Sequence, residues 1–142
     1  MLHCMIASNG GTASLPKKGI LIGNSFPLSL IRRVVLIRPS SQRELREALT
    51  GRRVVSFWGH ANTLLAASQY AGCDLTPSRE RPTVCLSAEC YPCFAAEIFR
   101  ECWVLSPDYV GNFRPGVGEE VPAEKILGWQ VLRLEWDAVS GR

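Results

Sequence analysis

Residues 54–72, VVSFWGHANTLLAASQYAG, place a strand and a helix in direct succession with a short turn between them. The run VVSFW is β-branched and apolar on both faces, which predicts a central strand of a sheet. Asn62 can cap the helix TLLAASQYA, which ends at Gly72. The fold must therefore bury this strand inside a sheet, and it presents His60 at the turn between the strand and the helix.

The rest of the chain supplies further strands and another helix. Apolar runs at 19–26, 34–38, 82–87 and 102–106 predict strands, and WQVLRLEW at 129–136 predicts one with a partly exposed face. In SSQRELREAL, Ser41 and Glu44 have the spacing of a capping box ahead of a helix that buries Leu45, Ala48 and Leu49. Gly51 ends that helix. The pattern predicts a single α+β sheet domain with at least two helices.

The composition is that of one globular domain. The chain has 142 residues, of which 46% are hydrophobic and 20% charged, so it can form one core and is too short for two domains. We expect residues 1–18 to be a flexible leader without a secretory signal and residues 19–142 to form the domain. The net charge of +3 does not indicate duplex-DNA binding, and no apolar stretch approaches the length of a membrane span. We therefore expect a cytoplasmic protein without a membrane or duplex-DNA partner.

Four of the six cysteines cluster between residues 85 and 102, and CYPC is a C-x-x-C sequence. In a chain without a secretory signal, such thiols are free, bind a metal or carry redox chemistry. A zinc site usually takes two closely spaced pairs of ligands, whereas this chain has one. A metal or redox role for Cys85, Cys90, Cys93 and Cys102 is one hypothesis, and ordinary buried or loop thiols are the other.

His60 lies where the first backbone N–H groups of a helix have no partner within the helix. Those groups and the helix dipole favour a bound anion, and Asn62 and Thr63 add side-chain donors beside them. The positive end of the helix lowers the affinity of His60 for a proton, whereas a bound phosphate raises it. This combination suits an acid that is needed only when substrate is present. The alternative is a histidine that only caps the turn.

Other polar side chains could converge on the same place. Asn24 and Ser25 end the first strand, and strand ends are where sheet proteins place ligand contacts. Arginines on turns suit bidentate binding of phosphate, and the alternative for each of them is a solvated loop charge. The charged candidates on later turns are Arg79, Arg81, Arg114, Glu119 and Glu120.

This order of segments resembles a family of small proteins first met in archaeal viruses, the viral ring nucleases, which are type III anti-CRISPR proteins. The resemblance is carried by ILIGNSF, VVSFWGHANT, AGCDLTPSRERPTVCL and RPGVGEEVPAEKI, within residues 20–136, and most specifically by G-H-x-[S/N]-T. It implies a homodimer with a mixed central sheet of about five strands flanked by helices. It also implies cleavage of cyclic tetra-adenylate, bound across the dimer interface, into short linear oligoadenylates without a metal or other cofactor.

The resemblance also assigns roles to residues of this chain. The catalytic histidine of the family falls on His60, and the contacts at the end of the first strand fall on Asn24 and Ser25. The family's arginine after the long helix falls on Arg81, and the arginine of the later turn falls on Arg114. These assignments imply a viral protein that acts in the cytoplasm of its host.

The later turn departs from the family's pattern. The family has R-x-x-E-G at this point, and this chain has Val117 in place of the glutamate. One interpretation is that Glu119 or Glu120, which follow directly, supplies the missing carboxylate. The other is that the protein binds the cyclic nucleotide without cutting it and acts as a sponge.

Overall fold

The fold was analysed on a computed structural model that describes residues 19–58, 63–76, 84–94, 96–116 and 121–137. Within these ranges the chain forms eight strands, two α-helices and two short 3₁₀ turns. The elements are β1 (Ile20–Gly23), β2 (Val35–Ser40), α1 (Gln42–Leu49), β3 (Val54–Ser56), α2 (Leu64–Ala71), β4 (Cys85–Leu86), β5 (Pro92–Phe94), β6 (Glu97–Ile98), β7 (Glu101–Tyr109) and β8 (Ile126–Trp136).

Five of the strands form a mixed sheet in the order β2-β8-β7-β1-β3. β1 runs parallel to both of its neighbours, β3 and β7, whereas β8 runs antiparallel to β7 and β2. Every residue of β1 is buried, as expected for a strand with parallel partners on both sides and a layer over each face. The predicted α+β fold with a mixed sheet of about five strands is thereby confirmed.

The two helices cover one face of this sheet. α1 begins with the predicted capping box, because Ser41 Oγ accepts a hydrogen bond from the Glu44 N–H at 3.1 Å and the Glu44 carboxylate accepts one from the Ser41 N–H at 3.0 Å. Its buried side chains, Leu45 and Leu49, pack in one core cluster with Trp103 on β7. In the part of the chain that the structure describes, no helix is long and apolar enough to cross a membrane.

A side chain of α1 holds the end of α2. Arg46 donates from Nε to the carbonyl of Tyr70 at 3.0 Å and from Nη2 to the carbonyl of Gln69 at 2.9 Å. The last carbonyls of a helix have no partner within the helix, so a guanidinium satisfies two of them here. The Tyr70 ring in turn stacks on Trp129 of β8, with 5.5 Å between the ring centroids. These contacts fix the orientation of α2 across the sheet.

The opposite face of the sheet is covered by a second sheet rather than by helices. β4, β5 and β6 form three short antiparallel strands. Phe94 on β5 and the flanking residues Tyr91 and Phe99 pack with the side chains of the main sheet that point away from α1 and α2. Pro92 and the turn at 87–90 interrupt this segment, and a helix does not tolerate proline in its interior. The prediction of helices therefore holds on one face, and short strands form the layer on the other.

Charged side chains gather at the end of the sheet where β7 and β3 begin, which we call the amino edge. The Glu101 carboxylate there accepts hydrogen bonds from Arg52 at 3.0 Å and from the Trp103 indole at 2.8 Å. Arg133 pairs with the same carboxylate at 3.2 Å, and its guanidinium lies over the Trp103 ring at 5.2 Å. The Glu101 side chain is 12% exposed, so its charge is stabilised mainly by these partners.

A second charged cluster at the amino edge joins four segments of the chain. Tyr91 lies between the guanidiniums of Arg33 and Arg100, which are 4.1 and 4.5 Å from its ring centroid. The Tyr91 hydroxyl donates to Asp137, which also pairs with Arg33 at 3.0 Å and with Arg100 at 3.2 Å. The hydrogen bond from Tyr91 and the two guanidiniums hold the pKa of Asp137 below its ordinary value. The cluster therefore ties the small sheet to the starts of β2 and β7 and to the end of β8.

We predict that Glu101→Ala destabilises the protein strongly. The substitution removes the acceptor that two largely buried arginines share. Removal of one partner from a buried ion pair lowers the free energy of unfolding by about 3 kcal/mol or more. Urea unfolding at neutral pH measures the change in the free energy of unfolding. The matched control is Glu47→Ala, which removes an exposed pair with Arg43 and should cost about 0.5 kcal/mol or less. Equal losses in the two variants would contradict the assigned role of Glu101.

Candidate functional site

The ends of β1 and β3 lie side by side at the edge of the sheet opposite the amino edge, which we call the carboxyl edge. Ile22 is in register with Ser56, and the Phe57 N–H donates to the Ile22 carbonyl at 3.0 Å. Asn24, half-buried, and Ser25, exposed, follow β1 directly. The two residues that sequence analysis placed at a strand end therefore lie beside the chain that leaves β3.

A close contact locks these two strand ends together. The ring of Phe57 lies against Gly23, where a Cβ atom would come within 2.5 Å of the Phe57 ring. No real side chain tolerates so short a distance from a ring held in the core, and Phe57 is 6% exposed. Glycine at position 23 therefore allows the aromatic ring to pack directly against the end of β1.

A buried hydrogen bond joins the two residues that flank residues 59–62, which we call the histidine segment. The Trp58 indole donates from Nε1 to Thr63 Oγ1 at 3.1 Å. Trp58 is 1% exposed and Thr63 is 4% exposed, so this polar contact lies within the core. The sequence pattern predicts that the Thr63 hydroxyl donates to a ligand. In the structure that hydroxyl accepts a hydrogen bond from Trp58.

The helix after the histidine segment also begins at the carboxyl edge. α2 starts at Leu64, and Thr63 occupies its N-cap position without a side-chain hydrogen bond to the helix. Leu64, Ala67 and Ala71 face the core, and Gly72 ends the helix in a left-handed conformation with φ of 77°. The strand and the helix predicted from residues 54–72 are therefore present as β3 and α2, and the proposed cap Asn62 lies outside the described residues.

Arg114 lies at the same end of the molecule. β7 runs parallel to β1, with Gly23 in register with Val104, and it continues past that point to Tyr109. The chain beyond β7 is closed by a hydrogen bond from the Val110 N–H to the Lys125 carbonyl at 3.0 Å. Arg114 is exposed in this connection, and its Nη1 donates to the Phe113 carbonyl at 2.8 Å.

Several predicted site residues lie outside the described ranges, so their positions and contacts stay predictions. Of the predicted site, the described residues include Asn24, Ser25, Thr63 and Arg114. The predicted residues outside the described ranges are His60, Asn62, Arg79, Arg81, Glu119 and Glu120, together with Val117.

The cysteines of the metal or redox hypothesis occupy different environments. Cys85 and Cys93 face each other across β4 and β5, and Cys90 lies in the turn before β5 with φ of 69°. Cys102 lies on β7 in the main sheet and is fully buried, which raises the pKa of its thiol. Among the described residues, no group of three or more His, Cys, Asp and Glu side chains could hold a metal ion. The four-cysteine zinc hypothesis therefore gains no support from that part of the chain.

The residues that join the strand ends are not among the predicted site residues. Gly23, Phe57 and Trp58 were assigned only to strands, whereas the structure shows that they set the distance between β1, β3 and the start of α2. The signal was present in the order of the residues, because two aromatic side chains precede the Gly-His pair and a threonine follows it. The pairing of those side chains required the three-dimensional structure.

Comparison with known proteins finds a likeness in fold. No protein-family model and no curated protein sequence matches the chain. Among solved structures, the chain is similar to B116 of Sulfolobus turreted icosahedral virus, with a TM-score of 0.51 and 12% sequence identity. The alignment covers 83% of this chain and 98% of B116. At this identity the likeness concerns the arrangement of helices and strands, and in that respect the chain shares the fold of B116.

Proposed function

We propose that the protein cleaves a cyclic oligoadenylate second messenger and so counteracts type III CRISPR signalling. The specific substrate that we propose is cyclic tetra-adenylate. The observation that carries the proposal is the carboxyl edge, where Asn24 and Ser25 follow β1 directly beside the chain that leaves β3 and leads to the histidine segment. The resemblance to viral ring nucleases rests on the same segments. The fold likeness to a protein of an archaeal virus supports a viral protein that works in the host cytoplasm.

The proposed reaction uses a nucleophile that the substrate itself carries. A ribose 2′-oxygen bonds to the adjacent phosphorus, and the bond from phosphorus to the 5′-oxygen breaks, which leaves a 2′,3′-cyclic phosphate. The imidazolium of His60 gives its proton to the departing 5′-oxygen. The proton of the 2′-hydroxyl passes to solvent or to the carboxylate of Glu119 or Glu120. A positioned acid of this kind contributes roughly 10²–10⁴-fold in rate.

The remaining site residues bind the substrate in this proposal. Arg81 and Arg114 hold phosphate groups through charge-assisted hydrogen bonds, with Arg79, two residues before Arg81 in the sequence, as a further cation. Asn24 and Ser25 contact ribose or phosphate from the end of β1, and Thr63 does so from the start of α2. Asn62 acts from the histidine segment.

A second candidate function is a sponge that binds the cyclic nucleotide and leaves it intact. Val117, at the position of the family's glutamate, favours this alternative. Incubation with cyclic tetra-adenylate, followed by denaturation and chromatography, distinguishes the two functions. An enzyme yields linear products, whereas a sponge returns the intact ring.

Cleavage should persist in excess EDTA, because the proposed nucleophile and acid need no metal. The measurement is the single-turnover rate with cyclic tetra-adenylate, before and after the protein is dialysed against the chelator. A rate that the chelator abolishes and a divalent ion restores would exclude the proposed mechanism.

The wild-type protein should be a homodimer at micromolar concentration. A chain of this length offers limited surface to enclose a ring-shaped ligand, and two copies related by a two-fold axis can cover it from both sides. Sedimentation equilibrium with and without cyclic tetra-adenylate measures the assembly. A monomer that binds the ring tightly would contradict this expectation.

Substitutions of Arg114 and His60 should affect different steps. Arg114→Ala removes a charged contact to phosphate, so binding should weaken by roughly 1.5–3 kcal/mol. His60→Ala should leave most of the binding intact, because the arginines hold the phosphate groups and the proton of His60 is needed only at the departing 5′-oxygen. It should slow cleavage by about 10²–10⁴-fold. Binding titration and single-turnover kinetics on the same variants measure the two effects.

Arg53→Ala is the matched control for the loss of a positive charge. Arg53 directly precedes β3 at the amino edge, and its side chain is 63% exposed. This variant should bind and cleave like the wild type, since it lies at the other end of the sheet. If His60→Ala also cleaves like the wild type, His60 is not the acid, and a role in capping the turn is the remaining interpretation.

A further inference from the structure

We propose that Cys85 and Cys93 are a reversible oxidation site, at which a low-molecular-weight disulfide such as oxidised glutathione produces a bond across the small sheet. The two residues are directly opposite each other on β4 and β5, and both side chains are thiols in the structure. The pair belongs to the small sheet and includes none of the predicted site residues, so its chemistry and its test are independent of the proposed function.

The register of the β4–β5 hairpin sets the separation of the two cysteines. The Ser87 N–H donates to the Tyr91 carbonyl at 2.8 Å. Hydrogen-bonded pairs alternate along antiparallel strands, so Cys85 and Cys93, two residues further along each strand, also form a hydrogen-bonded pair. The Cα atoms of such a pair are about 5.5 Å apart, and the usual Cα separation in a disulfide is about 5.5–6 Å. The backbone therefore already has the spacing that the bond requires.

The two side chains also project in the same direction. Opposite residues on antiparallel strands point to one face, with Cβ atoms about 4.5–5.5 Å apart. The Sγ atom of Cys85 lies 3.5 Å from the carbonyl oxygen of Cys93, so this thiol reaches across to the other strand. A disulfide brings the Cβ atoms to about 3.5–4.5 Å. A small approach of the strands and rotation of the two side chains would therefore complete the bond.

The turn of the hairpin favours this pair over the one that the sequence suggests. CYPC would join Cys90 to Cys93 as a C-x-x-C disulfide. Cys90 lies in the turn instead, where its N–H donates to the Ser87 carbonyl at 2.9 Å. β5 carries Cys93 away from that turn, and three residues of extended chain span roughly 10 Å. That distance exceeds the about 7 Å that a disulfide allows between Cα atoms.

Exposure determines which thiol reacts first. Cys85 is exposed, whereas Cys93 is half-buried. The Cys85 thiolate attacks one sulfur of oxidised glutathione, the bond between the two glutathione sulfurs breaks, and one glutathione leaves as a thiolate. The Cys93 thiolate then attacks the Cys85 sulfur of this mixed disulfide and releases the second glutathione. The protein loses two electrons and two thiol protons, and two molecules of reduced glutathione form.

The test is to map the disulfide that forms in the folded wild-type protein. The protein is incubated with oxidised glutathione, and the reaction is stopped by denaturation in excess N-ethylmaleimide. A glutamate-specific protease then cuts after Glu89, which separates Cys85 from Cys90 and Cys93. Mass spectrometry without reduction should find the two fragments joined. Reduced glutathione in millimolar excess should separate them again, because exposed disulfides are the labile ones.

Three variants identify the pair. Cys85→Ser should abolish the link between the fragments. Cys90→Ser should leave the link in place, since only Cys85 and Cys93 then remain on the two fragments. The matched control is Cys73→Ser, which removes another half-buried thiol of the described structure and should leave the link unchanged. Oxidation in concentrated urea should lose the preference for Cys85 and Cys93, because unfolding removes the register of the hairpin.

Four results would overturn the proposal. A disulfide confined to the fragment that holds Cys90 and Cys93 would show that the C-x-x-C pair forms instead. Loss of the link in Cys90→Ser would assign the bond to Cys85 and Cys90. Chains joined to each other on a non-reducing gel would show that Cys85 reacts between molecules. A link that reduced glutathione cannot open would exclude a reversible site.

Discussion

Complete burial of β1 is the constraint on which the rest of the structure depends. Ile20, Leu21 and Ile22 are 0% exposed, and the strand has a parallel neighbour on each side. Such a strand needs an apolar layer over both faces of the sheet. The helices supply one layer, and the short strands of residues 84–98 supply the other. Because β1 lies between β7 and β3, its end also lies between these two strands at the carboxyl edge.

The sequence was most informative where one residue type determines local structure, and least where contacts join distant side chains. The pair Ser41 and Glu44 predicted the start of α1 correctly, since a capping box involves only neighbouring residues. In the small sheet, β4 lies within the predicted strand at 82–87, whereas β5 and β6 escaped prediction, because strands of two or three residues have no measurable periodicity. The strand ends of the candidate site could be placed from the β-branched runs. The contact between Trp58 and Thr63 could not, since it depends on how the chain packs after β3.

Stability and the candidate site occupy opposite ends of the sheet. The amino edge carries the charged clusters around Glu101 and Asp137, which tie the strands together. The carboxyl edge carries the connections after β1, β3 and β7. Connections on a rigid scaffold tolerate change better than the elements they join. This arrangement is consistent with a fold shared with B116 at 12% identity, because the segments at the carboxyl edge can diverge while the sheet persists.

The buried thiol of Cys102 can report how often the core of the native protein opens to solvent. The thiol lies in the interior of the sheet, in register with Leu21 on one side and Leu134 on the other, and burial keeps it in the protonated, unreactive form. Alkylation of Cys102 therefore requires the small sheet to lift away or the main sheet to separate. Cys85 on the exposed side of β4 reacts without any such event. The ratio of the two alkylation rates, followed by mass spectrometry, measures how often the core of the native protein admits solvent.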